Sequence, residues 1–437
     1  MLKARIMYVV ALILLCVSGS LSAVEKQTLE NALYELPDVI FKEIENTNPR
    51  FEKCYELRIK QPLDHQHPEK GYFYQRAFLS HRSVDRPMLM YISGYTQDRV
   101  HNNELTRLLD ANQLSVEHRF FGKSVPDSLN YSYLNLEQAT ADLHYIHQLF
   151  HRIYTSKWIS SGISKGGATT IFYKYFFPND VDVAIPYVAP INREYEDKRI
   201  YSFLDTVGQD SCRKKILAFQ KRMFRERKQV LPLLELYSKG AGLKFSYLSL
   251  EQAFEYTVLE YPFSFWQYGS VCSEIPADTA SLTSAVEYLM KVNTIKSFSD
   301  ADIDAYLPHF YQSATQMGYY GYETAPFKND LKALPLYPHP YAAIVPARIP
   351  HTFDGTLLRK INEWLPRNGN RMIYIYGSTD TWTATGVPKS DKADALWFVM
   401  NGKNHASARF EKMTPDEKKL FVTTLEKWLD MKIEYKE

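Results

Sequence analysis

The segment Gly162-Ile-Ser-Lys-Gly166 places a serine between two glycines, which is the spacing of a nucleophile elbow. The pattern alone is weak, but it stands between a sequence typical of a strand and one typical of a helix, the context that the motif requires. A sharp bend there would hold the Ser164 hydroxyl at the end of the strand, facing a helix N-terminus. We therefore expect Ser164 to be the nucleophile of an acyl-transfer reaction; an ordinary serine in a glycine-rich turn is the alternative.

An acid and a base in matching positions follow later in the chain. The apolar run Met372–Gly377 leads into Asp380, and the run Leu396–Met400 leads through a short loop to His405. The order serine, aspartate, histidine is that of α/β-hydrolases and differs from both other common triad orders. We therefore predict a Ser164–His405–Asp380 triad. A turn aspartate and a surface histidine are the alternatives for the last two residues.

The expected chemistry gives each of these residues one role. His405 removes the Ser164 proton during attack on a carbonyl, while Asp380 fixes the imidazole tautomer and stabilises the imidazolium. The oxyanion needs two backbone donors, because the loss of one typically costs about 3–4 kcal/mol of barrier. We expect one donor to be the N–H of Lys165, the residue after the nucleophile, and the other to be that of Tyr95, in the turn at 93–96.

Alternating strands and helices surround these residues. Strands are predicted at 87–94, 113–117, 157–161, 181–188, 371–377 and 395–400, and helices at 136–152, at 166–177 and from 414 onwards. Asn135 is the expected N-cap of the first helix, and Thr414-Pro-Asp-Glu417 has the pattern of a capping box with proline at the first helical position. The alternation predicts a mostly parallel sheet with helices on both faces.

The alternation stops near residue 195 and resumes near 371. Between these points the chain has the pattern of helices and aromatic-rich loops. We therefore predict an α/β-hydrolase fold in which one catalytic domain is built from residues 24–195 and 346–437. Residues 196–345 form a large helical cap inserted between the two parts.

The N-terminal residues have the pattern of a secretory signal peptide. Lys3 and Arg5 precede an apolar run from 6 to 17, and small residues lead on to Ala23. We expect residues 1–23 to be removed and the mature protein to be secreted or periplasmic. A membrane anchor is the alternative, although the run is short for a span. A lipoprotein at Cys16 is disfavoured, because the preceding Leu15 does not suit that processing site.

Charge and cysteine usage exclude some classes of protein. The net charge is only +2 over 437 residues, so we expect no nucleic-acid partner, and a basic helix at 213–228 is interpreted as a solvated face. No CxxC pair or Cys/His cluster is present, and we expect neither a metal nor another cofactor. An oxidising compartment permits one disulfide. Since Cys212 and Cys272 both lie in the predicted cap, we expect them to pair and Cys54 to remain free.

Several motifs resemble those of the secreted bacterial tripeptidyl aminopeptidases, serine peptidases related to the prolyl carboxypeptidase and dipeptidyl-peptidase II group. The matching segments are Gln61-Pro-Leu-Asp-His65, Glu117-His-Arg-Phe-Phe-Gly-Lys-Ser124, Gly162-Ile-Ser-Lys-Gly-Gly167, Tyr187-Val-Ala-Pro190, Glu260-Tyr-Pro-Phe263 with Trp266, and Tyr376-Gly377 with Asp380-Thr-Trp382. The resemblance implies a helical cap and release of short peptides, usually tripeptides, from free N-termini, with a proline preference left open. The carboxypeptidase group has tyrosine after the serine, and Lys165 departs from that pattern.

A peptidase that requires a free N-terminus must bind the substrate's ammonium, and a buried carboxylate suits that task. Glu117 ends a predicted strand near the site, and the family resemblance favours Glu196 and Asp197, where the cap begins. A solvated acid or a structural ion pair is the alternative for each. The aromatic run 260–268 is interpreted as cap core or as the lining of an apolar side-chain pocket.

Four functions compete on this sequence. The first is a serine exopeptidase acting on peptide substrates. A prolyl carboxypeptidase-like peptidase and an esterase or lipase on the same fold are the second and third, since fold does not fix substrate. A lipase should have an exposed apolar lid, whereas this cap is rich in lysine, arginine and tyrosine. The fourth is a non-catalytic surface binding protein, against which the intact triad argues.

Overall fold

The computed structural model describes residues 28–338, 345–346 and 349–435, so the predicted signal peptide lies outside the described residues. The chain divides into two compact units, residues 1–39 and 40–437. Helix α1, Leu29–Tyr34, belongs to the first unit and is capped by the Thr28 side chain. Among the helices in these described ranges, none has both the length and the apolar character needed to cross a bilayer.

The described residues contain one sheet of nine strands: β1 (Val39–Ile44), β2 (Lys53–Pro62), β3 (Tyr72–His81), β4 (Met88–Ile92), β5 (Asn112–Val116), β6 (Trp158–Ile163), β7 (Val183–Tyr187), β8 (Met372–Gly377) and β9 (Ala395–Met400). Their spatial order is β1-β2-β3-β5-β4-β6-β7-β8-β9. The pairs β2–β3 and β3–β5 are antiparallel, and every neighbouring pair from β5 to β9 is parallel. The mostly parallel sheet of an α/β-hydrolase is therefore present, with an antiparallel edge.

After α1, the helices of the described residues are α2 (Glu104–Leu108), α3 (Leu136–Phe150), α4 (Lys165–Phe176), α5 (Arg199–Leu204), α6 (Asp210–Arg225), α7 (Arg227–Gly240), α8 (Leu250–Tyr268), α9 (Leu282–Val292), α10 (Asp300–Gln312), α11 (Thr356–Asn368) and α12 (Pro415–Leu429). The caps predicted from sequence are confirmed at two of them. The Asn135 side chain accepts from the Gln138 N–H at the start of α3, and Thr414 and Glu417 form a reciprocal capping box at the start of α12.

Helices cover both faces of the sheet because successive strand residues point to opposite sides. In β8, Ile373 and Ile375 pack into a core that includes Leu425 of α12. Tyr374, between them, packs on the other face with Leu358 of α11. This burial on both faces explains why the central strands are continuous apolar runs in the sequence.

Helices α5 to α10 are inserted between β7 and β8, and most of them share a hydrophobic core of their own. Helix α8 runs through this core, in which Phe254 and Tyr261 are fully buried. Its first turn has a capping box formed by Ser249 and Gln252. The predicted disulfide joins Cys212 and Cys272 within the insertion, and Cys54 is a free, buried cysteine.

Candidate active site

Ser164 forms the bend between β6 and α4, because β6 ends at Ile163 and α4 begins at Lys165. Its backbone has φ 57° and ψ −123°, a conformation that residues with side chains rarely adopt. The flanking glycines permit this bend: a Cβ atom on Gly162 would lie 2.4 Å from the Gly166 carbonyl, and one on Gly166 would lie 2.2 Å from the Ile92 carbonyl oxygen. The serine is partly exposed at the carboxyl end of β6.

Asp380 and His405 meet beside the same edge of the sheet. Asp380 follows β8, is fully buried and accepts a hydrogen bond from the Trp382 backbone N–H at 3.1 Å. Its other carboxylate oxygen lies 2.7 Å from His405 Nδ1. A proton on Nδ1 directed at this carboxylate leaves Nε2 as the basic nitrogen. The pair therefore holds the imidazole in the tautomer that a general base needs.

The Ser164 hydroxyl forms no hydrogen bond with His405 in the described part of the chain, but its side chain interacts with the Tyr95 phenol. Burial raises the pKa of the Tyr95 phenol, and an interaction with the Ser164 side chain partly lowers it again. Catalytic hydrogen bonds are often long without substrate and tighten in the reacting complex. Ser164, His405 and Asp380 thus stand at one sheet edge with only the last two already bonded.

Lys165, the residue after the nucleophile, is almost completely buried. Its Nζ donates a 2.7 Å hydrogen bond to the carbonyl of Gly94, and the rings of Tyr95 and Phe121 lie 5.6 and 5.3 Å away. Burial lowers the pKa of this amine well below its usual range. Within the described residues it has no carboxylate partner, so its contact with the Gly94 loop is its main polar interaction.

This contact sets the direction of one peptide group beside the nucleophile. The Gly94 carbonyl and the Tyr95 N–H belong to the same peptide unit, and in a trans peptide they point in opposite directions. Lys165 therefore fixes the orientation of the Tyr95 N–H, which also lies 3.4 Å from the Ser93 hydroxyl. The loop packs directly on the start of α4, since a Cβ atom on Gly94 would lie 2.4 Å from the Gly166 nitrogen. The backbone N–H of Lys165, in the first turn of α4, has no intrahelical acceptor.

Glu117 is fully buried and already saturated by internal donors. Its carboxylate accepts hydrogen bonds from the Arg76 guanidinium, the Ser124 hydroxyl and the backbone N–H groups of Gln97 and Lys123. These contacts tie together the loops that follow β4 and β5. With these four donors, one of them the Arg76 guanidinium, Glu117 has the structural ion pair that was the alternative interpretation of this residue.

The two acids at the start of the insertion also have partners. Asp197 is paired with the Arg199 guanidinium through both oxygens, at 2.9 and 2.7 Å. Glu196 accepts a hydrogen bond from the Tyr201 hydroxyl and lies against Gly321. Neither acid joins a group of three or more His, Cys, Asp or Glu side chains that could hold a metal ion, and no such group occurs in the described ranges.

A fourth acid, Glu260 of α8, has surroundings that differ from these. Its carboxylate accepts hydrogen bonds from the hydroxyls of Tyr320 (2.9 and 3.0 Å), Tyr322 (3.0 Å) and Ser264 (3.1 Å). Burial raises its pKa to about 7, although the three hydroxyls lower it in part. Within the described residues it forms no ion pair.

A group of packed aromatic rings connects Glu260 to the loop that carries Asp380. The Phe263 and Tyr320 rings are stacked with centroids 3.9 Å apart, and both contact Trp382, which follows Asp380 closely. The Thr381 hydroxyl donates to the Phe263 carbonyl, and the His405 N–H donates to the carbonyl of Gln267, each at 3.0 Å. The second half of α8 is therefore hydrogen-bonded to the loops that carry Asp380 and His405.

Sequence reasoning placed Glu260 in a matching motif but assigned it no role. Helical spacing could have indicated a role, because residues 260, 263, 264 and 267 fall on one face of a helix. That face is the one through which α8 contacts Asp380's neighbours and His405. The other residues of the run, such as Tyr261 and Phe265, point into the core of the insertion.

Comparison with known proteins places these residues in a family. The model of the family described as PS-10 peptidase S37 matches residues 27–433. The chain is 32% identical over 384 residues to the prolyl tri/tetrapeptidyl aminopeptidase of Streptomyces mobaraensis, covering 85% of this chain and 79% of the relative. It is 30% identical over 230 residues to the probable serine protease EDA2 of Arabidopsis thaliana, covering 47% and 43% of the two chains. Among solved structures, a proline iminopeptidase of Mycobacterium smegmatis matches with 10% identity and a TM-score of 0.38, over 85% of this chain and 98% of that one.

Proposed function

This chain belongs to the PS-10 peptidase S37 family of serine peptidases, and on that premise we propose that it releases tripeptides or tetrapeptides from the free N-termini of peptide substrates. The observation that carries the proposal is the buried Asp380–His405 pair, 2.7 Å apart, at the sheet edge where Ser164 is partly exposed. The substrate class is taken from the printed name of the Streptomyces relative, and a preference for proline at the cleaved bond is part of the same proposal.

In the proposed reaction, Ser164 attacks the substrate carbonyl while His405 Nε2 accepts its proton. Asp380 stabilises the imidazolium, which then protonates the leaving amine. The N–H groups of Lys165 and Tyr95 receive the oxyanion, and the Lys165 amine holds the Tyr95 peptide in place through the Gly94 carbonyl. Water hydrolyses the acyl-enzyme and frees the short peptide.

The inserted helices support an exopeptidase rather than a general hydrolase. Helix α8 is bonded to the loops of Asp380 and His405, so the insertion covers one side of the site. We propose that residues 196–345 act as a cap that limits how much chain can enter, between catalytic segments 24–195 and 346–437. We also propose that residues 1–23 are a signal peptide, so that the enzyme acts outside the cytoplasm.

Mass spectrometry of products tests this function directly. Purified protein is incubated with unstructured decapeptides that have free N-termini and a proline at position 3 or 4, and the fragments are followed over time. We expect the N-terminal tripeptide or tetrapeptide and its complement as the first products, and no turnover by Ser164→Ala. Internal fragments as first products, or single residues released from the C-terminus, would reject the proposal in favour of an endopeptidase or a carboxypeptidase.

A further inference from the structure

The Glu260 carboxylate is bonded only to neutral hydroxyl groups within the described part of the chain. Tyr320, Tyr322 and Ser264 supply these hydroxyls, and Tyr320 lies within 3.0 Å of both carboxylate oxygens. A carboxylate offers about four lone-pair sites, so a further donor can be accepted. A partly buried carboxylate without a cation lacks the partner that usually offsets desolvation.

Three other buried carboxylates have such a partner. Glu255 lies on the same helix, five residues before Glu260, and is paired with Arg227 and three backbone N–H groups. Asp197 is paired with Arg199, and Glu117 with Arg76. Each of these three acids has a guanidinium partner, and Glu260 lacks one within the described residues.

A chain of aromatic ring contacts joins the surroundings of Glu260 to the loop beside Ser164. Tyr320, which donates to Glu260, is stacked on Tyr319 with centroids 4.5 Å apart. The His309 ring lies 5.6 Å from Tyr319 and 5.5 Å from Tyr95, and Gly94, which precedes Tyr95, packs on the start of α4 directly after Ser164. The side chain of Tyr268, at the end of α8, is mostly exposed. The surroundings of the Glu260 carboxylate are therefore continuous with the Ser164 loop through this aromatic cluster.

From these contacts we infer that Glu260 binds the N-terminal ammonium of the substrate, completing a site whose cation the protein itself does not provide. The inference rests on the proposed function and names the residue that would make it an aminopeptidase. A fixed ammonium sets the number of residues between the N-terminus and the carbonyl that Ser164 attacks. The position of Glu260 would thereby determine whether three or four residues are released.

Neither Glu196 nor Glu117 offers the same possibility. Tyr320 and Tyr322 turn their hydroxyls to Glu260, whereas Gly321 between them packs against Glu196, so the segment separates the two acids. Glu196 also has a hydroxyl partner, Tyr201, but it lies on the Gly321 side of this segment rather than on the side of Tyr320, whose ring contacts Trp382. The Glu117 carboxylate already accepts from four internal donors. We therefore assign the ammonium site to Glu260, on the second half of α8, and not to the acids predicted from the sequence.

The pH dependence of activity follows from this assignment. The pKa of Glu260 is raised to about 7 by burial, and the groups that face it are Ser264 and Tyr268 on its own helix and Tyr319, Tyr320 and Tyr322 on the segment packed against it. Tyr319, Tyr320 and Tyr322 stay neutral in this range, since burial raises the pKa of each phenol well above its usual value. The pKa of the Tyr268 phenol is raised as well. Ammonium binding needs the ionised acid above about pH 7 and a protonated amine below about pH 8.

The decisive experiment compares a free-amine tripeptidyl p-nitroanilide with its N-acetyl twin. The readout is the ratio of their kcat/KM values in wild type and in Glu260→Gln. We expect wild type to prefer the free amine strongly and the variant to lose about 10- to 100-fold of that ratio, because a charge-assisted bond is replaced by a neutral one. Labelling of Ser164 by a small fluorophosphonate shows that the variant is folded.

Two further variants make the result specific. Glu251→Gln, an exposed acid in the first turn of the same helix, should keep the wild-type ratio. Glu196→Gln should also keep it, and loss of the preference in that variant alone would overturn the inference. If Glu260→Gln fails to fold, the ratio in wild type against pH decides: it should rise through about pH 7 and fall near pH 8, and a flat ratio would contradict the assignment.

The outcomes separate this inference from the function on which it rests. Equal cleavage of the free and acetylated substrates by wild type would reject the aminopeptidase function itself. A strong wild-type preference that Glu260→Gln retains would leave the function standing and would reject Glu260 as the ammonium site.

Discussion

The two sides of the active site differ in how completely the protein satisfies its own polar groups. At the sheet edge, Asp380 is bonded to His405 and to the Trp382 N–H, and the Lys165 amine is bonded to Gly94. On the α8 side, the Glu260 carboxylate is bonded to hydroxyls and lacks a cation in the described residues. The Asp380, His405 and Lys165 side chains, which we propose to serve the reaction, already have their partners. The Glu260 carboxylate, which we propose to bind the substrate, gains a cation only when the substrate ammonium arrives.

This difference has a physical reason. Stabilisation of a transition state is most effective when donors are already oriented, because no reorganisation is then needed during reaction. Recognition gains most when a buried charge is unpaired until the correct ligand arrives, because a wrong ligand leaves it desolvated. Activity should therefore depend at the sheet edge on the orientation of the hydrogen-bond donors, and on the α8 side on the charge of Glu260.

Lys165→Met should have the largest effect on the chemical step. The change removes the amine that orients the Gly94–Tyr95 peptide but leaves the apolar stem buried. We expect kcat to fall by about 100- to 1000-fold with KM little changed, since a misdirected oxyanion donor affects the transition state more than the bound substrate. Steady-state kinetics with a free-amine tripeptidyl p-nitroanilide measure both constants.

Lys174→Met is a matched control on the same helix. Lys174 is also buried, and burial lowers its pKa to about 8, but its amine donates to the carbonyls of Pro178 and Val181, in the turn before β7. It should cost stability without a comparable loss of kcat. A similar fall of kcat in both variants would mean that Lys165 acts through general packing and would remove its positioning role.

Glu260→Gln should make the protein more stable at high pH. A buried carboxyl whose pKa is raised from 4.5 to about 7 favours the folded state when protonated, so its contribution is complete below about pH 4.5 and is lost as pH rises through about 7. Glutamine does not ionise, and the gain in unfolding free energy at pH 8 should approach about 2–3 kcal/mol, with almost none at pH 4. Urea unfolding at several pH values measures this difference.

Glu255→Gln should have the opposite sign on the same helix. Its carboxylate is paired with Arg227, and breaking a buried pair leaves the guanidinium uncompensated, which typically costs about 3–5 kcal/mol. The two variants therefore test whether α8 carries one structural and one incomplete acid. Destabilisation by Glu260→Gln at pH 8 would show that Glu260 is a structural acid as well.

The strands that carry Ser164, Asp380 and His405 were well predicted from the sequence because they depend on local patterns. A G-x-S-x-G bend, an acid after one strand and a histidine after the next are read from spacing, and the strands of 371–377 and 395–400 were placed within one residue of their ends. The first three strands, between Val39 and His81, were not predicted. Strands β2 and β3 belong to the antiparallel part of the sheet, where alternating polar and apolar residues give weaker signals than the buried parallel strands.

The recognition side depends on contacts that are distant in sequence. Glu260 meets Tyr320 and Tyr322, sixty residues later, and a single chain without its fold does not reveal whether an acid is paired with arginine or with tyrosine. Of the candidates chosen by position, Glu117 and Asp197 are paired with arginine, whereas Glu196, like Glu260, is bonded to a tyrosine hydroxyl. The identity of the partner and the contacts with the Asp380 and His405 loops, rather than residue type, set Glu260 apart.

The most direct test of the whole account is to trap the acyl-enzyme. Wild type is mixed with a p-nitrophenyl ester of a free-amine tripeptide, quenched in acid within one turnover and digested for peptide mapping by mass spectrometry. We expect the peptide that contains Ser164 to gain the mass of the tripeptidyl acyl group, and the corresponding peptide of Ser164→Ala to keep its mass. Acylation at another residue, or equal acylation of Ser164→Ala, would contradict Ser164 as the nucleophile.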